Sequence, residues 1–206
     1  MSLIQNFSLL DLLAKGGWTI GILFLMSILV LAIWIDRWKA VKKSKYSNEN
    51  ILDLIEPYIQ TQNWAEGIEV CERNEGFFST IIQAGLRSKI DKIGSPQLAM
   101  ERSAKKQLLV LENRLSWLAT CGNIAPYIGL FGTVIGIIDA FKNISLMNSS
   151  GVGIVSAGIA EALISTASGI FVAVISVIIY NSFQNKLERL AQKTEVIISE
   201  MDEQLS

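Results

Sequence analysis

The chain has 206 residues, of which 50% are hydrophobic and 18% charged, with a formal net charge of −1 and a mean hydropathy of +0.40. A soluble domain carries nearer about a quarter charged residues, and without a basic excess nothing neutralises phosphates, which argues against nucleic acid as a partner. No histidine occurs, so imidazole catalysis, imidazole metal ligands and a histidine proton relay are excluded.

Residues 1–15 precede the first of three stretches from which charge disappears. Gly16–Ile35 is 20 residues without a charge, enough to cross a bilayer core of roughly 30 Å. Trp18 at one end and Trp34 and Trp38 at the other fit interfacial anchors. The run is too long for a cleavable signal, and no small-residue cleavage site follows before Asp36-Arg37-Trp38-Lys39. Residues 16–36 are therefore expected to form the first transmembrane helix.

Residues 37–114 read as a cytoplasmic domain of short helices. Ser47-Asn48 can cap a helix carrying Ile51, Leu54, Ile55 and Tyr58, with Pro57 as a disturbance. Asn63 can cap a second, with Trp64, Ile68 and Cys71 on one face. Glu75-Gly76 breaks that pattern before Phe77, Ile81, Ile82 and Leu86. At Gly94-Ser95-Pro96, Ser95 stands at a cap and proline at the first helical position. From there no breaker intervenes, and one helix is expected from Pro96 to Phe141.

That helix contains the second uncharged stretch, Leu115–Ile138, 24 residues long, which predicts a transmembrane helix over 115–141 with Pro126 inside it. Residues 142–152 form a short outer loop. The third span, 153–182, holds one ionisable residue, Glu161, and residues 183–206 prolong it as a cytoplasmic helical tail through Leu187, Leu190, Ile197 and Ile198. Of the 18 Lys and Arg residues, 13 lie in Arg37–Arg114 and three more in the tail, while only Lys15 and Lys142 flank the spans on the other side. By the positive-inside rule the middle and the tail are cytoplasmic, and the N-terminus and the loop are outside. The expected fold is an all-α membrane protein with three transmembrane helices, the second and third prolonged into a cytoplasmic helical domain.

Small residues make stripes on both later spans. Gly122, Pro126, Gly129, Thr133 and Gly136 share one face of the second, with Gly132 and Gly136 as a further pair. Gly158, Ala162, Ser165, Gly169, Ala173 and Ser176 share one face of the third. Small residues let helix backbones approach closely in lipid. The approach can lie within one chain or between neighbouring subunits, the second being the expectation for an assembled ring. Glu161 stands about eight residues into its span, where a charge is expensive unless paired or hydrated. It begins a polar strip with Ser165 and Ser168, while Thr166 lies one step around the helix. Either Glu161 faces an aqueous path, or it is protonated or bonded to a neighbouring helix. Thr133 lies at a similar depth, although threonine also bonds back to its own helix. Neither cysteine, Cys71 or Cys121, has metal-ligand spacing around it. A nucleophile with a base, a phosphate loop and paired catalytic carboxylates are all absent, which points away from an enzyme.

Asn123–Phe141, reading NIAPYIGLFGTVIGIIDAF, and Gly158–Phe171, reading GIAEALISTASGIF and continuing to Tyr180-Asn181, together resemble the MotA/TolQ/ExbB proton-channel family. The likeness runs over both spans in order. Lys15-Gly16-Gly17 and the Ile35-Asp36-Arg37 exit look more like ExbB than TolQ. Ile175 departs from the family, which often has proline there. A flagellar stator of the MotA kind would carry a larger cytoplasmic loop and a fourth span, and a non-conducting membrane scaffold is the remaining alternative. The resemblance implies an inner-membrane motor subunit that uses the proton motive force, with the proton as coupling ion and no other cofactor. It implies a homo-pentamer around a dimer of single-span ExbD- or TolR-like partners, which bring the proton-binding aspartate. Motion would pass to a TonB-like protein for outer-membrane transport, or to a TolA-like one for envelope maintenance. Thr133, Glu161 and Thr166 are the positions that match the family's polar lining.

The charge asymmetry gives a direct test of orientation. In intact cells a membrane-impermeant thiol reagent should label a cysteine placed at Ser149 and spare one placed at Lys89. Labelling at Lys89 would reverse the topology.

Overall fold

The computed structural model describes residues 17–45, 51–147 and 152–205, and every regular element among them is a helix. In chain order these are α1 (Gly17–Lys45), α2 (Ile51–Gln60), α3 (Trp64–Arg73), α4 (Phe77–Asp91), α5 (Pro96–Glu112), α6 (Leu115–Met147) and α7 (Val152–Leu205). Three segments are long and apolar enough to span a bilayer: Trp18–Ala40, Pro96–Asn143 and Ser156–Leu205. The chain is an all-α membrane protein. The Ser47-Asn48 cap, residues 1–15 and Lys15 lie outside the described residues.

The chain divides into two units. The first contains residues 17–34 and 114–181 of the described chain, and is a bundle of α6 with parts of α1 and α7. On α1 the buried positions Thr19, Ile20, Leu23, Val30 and Ile33 recur at helical spacing, while Phe24, Leu25, Ile28 and Leu29 are exposed. Large apolar side chains such as Phe131, Ile138, Phe171 and Ile178 also face outward. A soluble protein rarely exposes such a continuous apolar surface, but lipid solvates it. Leu23, Ala125, Val172 and Ala173 make the core where the three helices meet, with Met26 and Ile128 packed on it.

The second unit comprises residues 35–113 and 182–205. Its amphipathic helices bury Ile51, Ile55 and Ile59 from α2, Cys71 from α3, Phe77, Phe78, Ile81, Ile82 and Leu86 from α4, and Met100 and Ala104 from α5. Phe183, Leu187, Ile197, Ile198 and Met201 of α7 are buried as well. The expected punctuation is present. Asn63 accepts from the Glu66 amide at 3.5 Å. Pro57 sits inside α2 without ending it. Asn74 closes α3, Gly76 precedes α4, and Pro96 opens α5 behind Ser95, whose side chain makes no capping bond.

Two expectations are corrected. The expected outer loop is partly helical, since α6 continues to Met147. The single helix from Pro96 to Phe141 is interrupted: α5 stops at Glu112, Asn113 has extended ψ (139°), and Arg114 takes a left-handed φ of 68°, which disfavours a residue bearing a Cβ. Its last carbonyls are taken up from elsewhere in the sequence. The Arg37 guanidinium donates to the carbonyls of Val110 at 3.1 Å and Leu111 at 3.4 Å and also holds Asp36 at 2.7 Å. Carbonyls at a helix end need donors, and a cation there also suits the helix dipole. The Arg37 side chain is only 11% exposed, so water does not replace it easily.

Arg37→Ala should therefore lower the thermal stability of the detergent-solubilised protein by about 1.5–3 kcal/mol, the range for hydrogen bonds from a charged donor. Arg37→Lys should recover only part of this, because a point charge lacks the planar fork that reaches two acceptors. Unchanged melting of Arg37→Ala would remove Arg37 as the cap of α5.

Candidate functional site

The spans meet along the two small-residue stripes, and both stripes belong to the same chain. Gly129 of α6 faces Gly169 of α7. A Cβ on Gly129 would stand 2.7 Å from the Ser165 carbonyl oxygen and 3.0 Å from Thr166 Cα, and a Cβ on Gly169 would stand 2.5 Å from the Ala125 carbonyl oxygen and 3.0 Å from Gly129 Cα. Gly136 meets Ala162, Gly158 meets Ala140, and Gly122 meets Val177 and the Ala173 carbonyl. Gly132 is closed off by the hydroxyls of Ser165 and Thr19. Gly129, Gly132, Gly136, Gly158, Ala162, Gly169 and Ala173 thus all make contacts inside one bundle, the within-chain alternative for these stripes.

At mid-stripe the hydroxyl residues form a node. Thr133 is 8% exposed; its Oγ1 lies 3.1 Å from the Gly129 carbonyl oxygen, 3.2 Å from that of Ala162, and against the Thr166 hydroxyl. Thr166 Oγ1 in turn lies 3.3 Å from the Gly129 carbonyl oxygen. Thr133 thus bonds back to its own helix, as membrane threonines commonly do, and also across to α7. Ser165 is 2% exposed and its Oγ is 3.3 Å from Thr19 Oγ1 on α1, so its hydroxyl is turned into the chain's own bundle.

Glu161 is half-buried. Among the described residues it makes no hydrogen bond or ion pair. At about 100° per residue, Glu161 and Thr166 leave α7 roughly 140° apart. The buried positions Ala162, Ser165, Gly169, Val172, Ala173 and Ser176 fall between them. Glu161 and Thr166 thus mark the two margins of the buried face, with Ser168 beside Glu161. Asp139 is exposed.

Sequence reading missed Thr19. The first span holds two hydroxyl residues, Thr19 and Ser27, and Ser27 donates to its own helix at the Phe24 carbonyl, 2.7 Å away. Only the register of α1 against α7 separates the two. Away from the spans, a groove in the second unit is lined by Cys71, Glu72, Phe77, Arg87 and Gln107 among others. Burial, and secondarily Glu72, push the Cys71 thiol up to about 12, so it is uncharged at neutral pH and a weak nucleophile. Among the described residues no three His, Cys, Asp or Glu side chains gather into a metal-sized cluster.

Residues 73–196 match the model of the MotA/TolQ/ExbB proton channel family. The Tol-Pal system protein TolQ of Haemophilus influenzae is 33% identical over 202 residues, covering 91% of this chain and 89% of its own. TolQ of Pseudomonas aeruginosa is 44% identical over 94 residues, 46% of this chain and 39% of that protein. The biopolymer transport protein ExbB of Salmonella typhimurium is 45% identical over 71 residues, 34% and 29% of the two chains.

The backbone contact orders a simple series of substitutions. Gly129→Ala and Gly169→Ala each force a methyl group against backbone and should destabilise the folded subunit by about 1–3 kcal/mol. Gly21→Ala on α1 has nothing within 4 Å of the new Cβ and should be neutral or gain up to about 1 kcal/mol from helix propensity. Thermal unfolding in mild detergent reads all three. Equal behaviour at positions 21, 129 and 169 would contradict the close approach of α6 and α7.

Proposed function

Because the chain belongs to the MotA/TolQ/ExbB proton channel family, we propose that it is the channel-forming subunit of an inner-membrane motor driven by the proton motive force. Glu161 is the observation that carries this reading. A carboxylate within an apolar span stays there only if something hydrates or pairs it, and this one has no partner inside its own bundle among the described residues. A ring of copies, pentameric by family resemblance, would supply the surroundings. A dimer of ExbD- or TolR-like single-span helices at its centre would bring the proton-binding aspartate. In that arrangement Glu161 and the Thr166 hydroxyl provide polar groups beside the partner's helix, and Thr133 holds Thr166 in place.

Of the two roles within the family, the TolQ type is favoured by the match that runs along 91% of the chain. Force would then pass to a TolA-like protein for envelope maintenance. The ExbB type, with a TonB-like protein and outer-membrane transport, draws on 45% identity over a shorter stretch and on the exit motif at Ile35-Asp36-Arg37. A deletion strain separates the two roles: detergent sensitivity and leakage of periplasmic proteins mark the first, and loss of energy-dependent uptake across the outer membrane marks the second.

The proton path itself is tested in liposomes that hold the complex with its partner. Glu161→Gln should lower partner-dependent proton uptake by about tenfold or more, equivalent to ~1.4 kcal/mol on the limiting barrier, while the ring still assembles. Thr166→Val removes the hydroxyl that meets Thr133 and the Gly129 carbonyl, neutral hydrogen bonds worth about 1 kcal/mol each, and should lower uptake with assembly intact. Full uptake in Glu161→Gln and in the Thr133→Val, Thr166→Val double variant would end the channel reading for these residues.

A further inference from the structure

We propose that the Thr19–Ser165 hydrogen bond is a rotational stop that aims the Glu161 carboxyl, making Thr19 and Ser165 positioning residues for the proton path; this rests on the reading of Glu161 above. The rotation of α7 about its own axis needs something to fix it. Its contact with α6 is made of Gly129, Gly136, Ala162, Gly169 and neighbouring small residues. Dispersion between such surfaces is strong at close range but nearly indifferent to small rotations, because no group in the contact has a direction. Hydroxyls do have one, and hydrogen bonds weaken steeply as their geometry is lost.

Among the described residues at mid-stripe, directional ties reach α7 from two helices: from α6 at Thr166 and the Ala162 carbonyl, and from α1 at Ser165. Thr166 is bonded to Thr133 and to the Gly129 carbonyl of α6, and Ser165 is bonded to Thr19 of α1. Consecutive side chains leave a helix about 100° apart, so the ties pull toward two different helices. One tie alone is a pivot; two in divergent directions leave no free rotation. Thr19 and Ser165 are 3% and 2% exposed, so water does not readily take the place of a removed hydroxyl. Gly132 lies directly against both hydroxyls, which closes the space into which they could turn.

Glu161 is four residues before Ser165, roughly 40° around the helix on the side away from Thr166. It therefore sits on the margin that the Thr19 tie controls. Releasing that tie lets α7 turn about the Thr133–Thr166 contact and carries the carboxyl from its half-buried place toward the apolar outer surface of the bundle.

The test uses the whole protein in lipid nanodiscs and dicyclohexylcarbodiimide, an apolar carboxyl reagent, with modification of the Glu161 peptide followed by mass spectrometry. Thr19→Val and Ser165→Ala should each raise the labelling rate about fivefold, the factor for one lost hydrogen bond. The double variant should go no further, since both remove the same link. Thr19→Ser keeps the hydroxyl and should label like the wild type. A Thr19→Val rate equal to the wild-type rate overturns the proposal. So does a Thr19→Ser rate as high as that of Thr19→Val, because the methyl group and not the hydroxyl would then be what matters. Proton uptake with the partner present should fall in Thr19→Val and be retained in Thr19→Ser. If Glu161→Gln keeps full uptake, the channel reading fails while the labelling result still decides whether Thr19 aims this carboxyl.

Discussion

In a bilayer the surroundings of a helix are as apolar as its side chains, so burial of apolar surface does not bring helices together. What remains is contact at short range, and the approach of α6 to α7 is set by backbone. Gly129 and Gly169 lie so close that a single methyl group on either would overlap a carbonyl oxygen. From that contact the rest of the first unit follows. The hydroxyls of Thr133 and Thr166 reach the opposite helix only because no larger side chain holds the backbones apart. Ser165 reaches Thr19 for the same reason, with Gly132 leaving the necessary space. The large residues, Phe131, Ile138, Phe171 and Ile178, are all displaced outward.

The placement of the polar groups changes how such a subunit divides its labour. Thr133 and Ser165 are nearly sealed from the outside and spend their hydrogen bonds within the chain. Glu161 and Thr166 stand at the margins of the same helix face, and neither is fully exposed or fully enclosed. Internal bonding, which takes in the Thr166 hydroxyl as well, fixes the shape of the subunit, while the Glu161 carboxyl makes no hydrogen bond or ion pair among the described residues. A helix whose polar residues were all internally satisfied would have nothing to offer a mobile proton, and one with all of them exposed would not hold its orientation in lipid.

Much of this was readable from the residues. Two stretches free of charge and a third holding only Glu161 marked the spans, and the clustering of lysine and arginine gave an expected orientation. Asn63, Gly76 and Pro96 marked helix starts because each acts on its immediate neighbours. The break at Asn113–Arg114 was not readable, since neither residue is a breaker and the donor that satisfies the broken end, Arg37, lies more than seventy residues earlier. The glycine stripes announced a close approach but not its partner, because spacing describes one face of one helix and says nothing about which helix covers it. Thr19 was missed on the same ground: within its own span it looks like Ser27, and only the facing Ser165 distinguishes it. For Glu161, sequence gave the depth and the cost of a charge there, and the structure adds that its own bundle supplies no partner among the described residues.

The bond from Arg37 to α5 has one more implication. In an unbroken α-helix the Val110 and Leu111 carbonyls would accept from the amides of Arg114 and Leu115, four residues on. Here the guanidinium of Arg37 holds both. The broken and continuous forms of this segment therefore compete for one pair of acceptors. Splicing α5 to α6 would relieve the left-handed Arg114 and set Arg37 loose; keeping them apart retains the cation and holds Arg114 in a disfavoured conformation. The two costs oppose each other within a few residues, so Arg37, far back in the sequence, bears on how this end of α5 is closed.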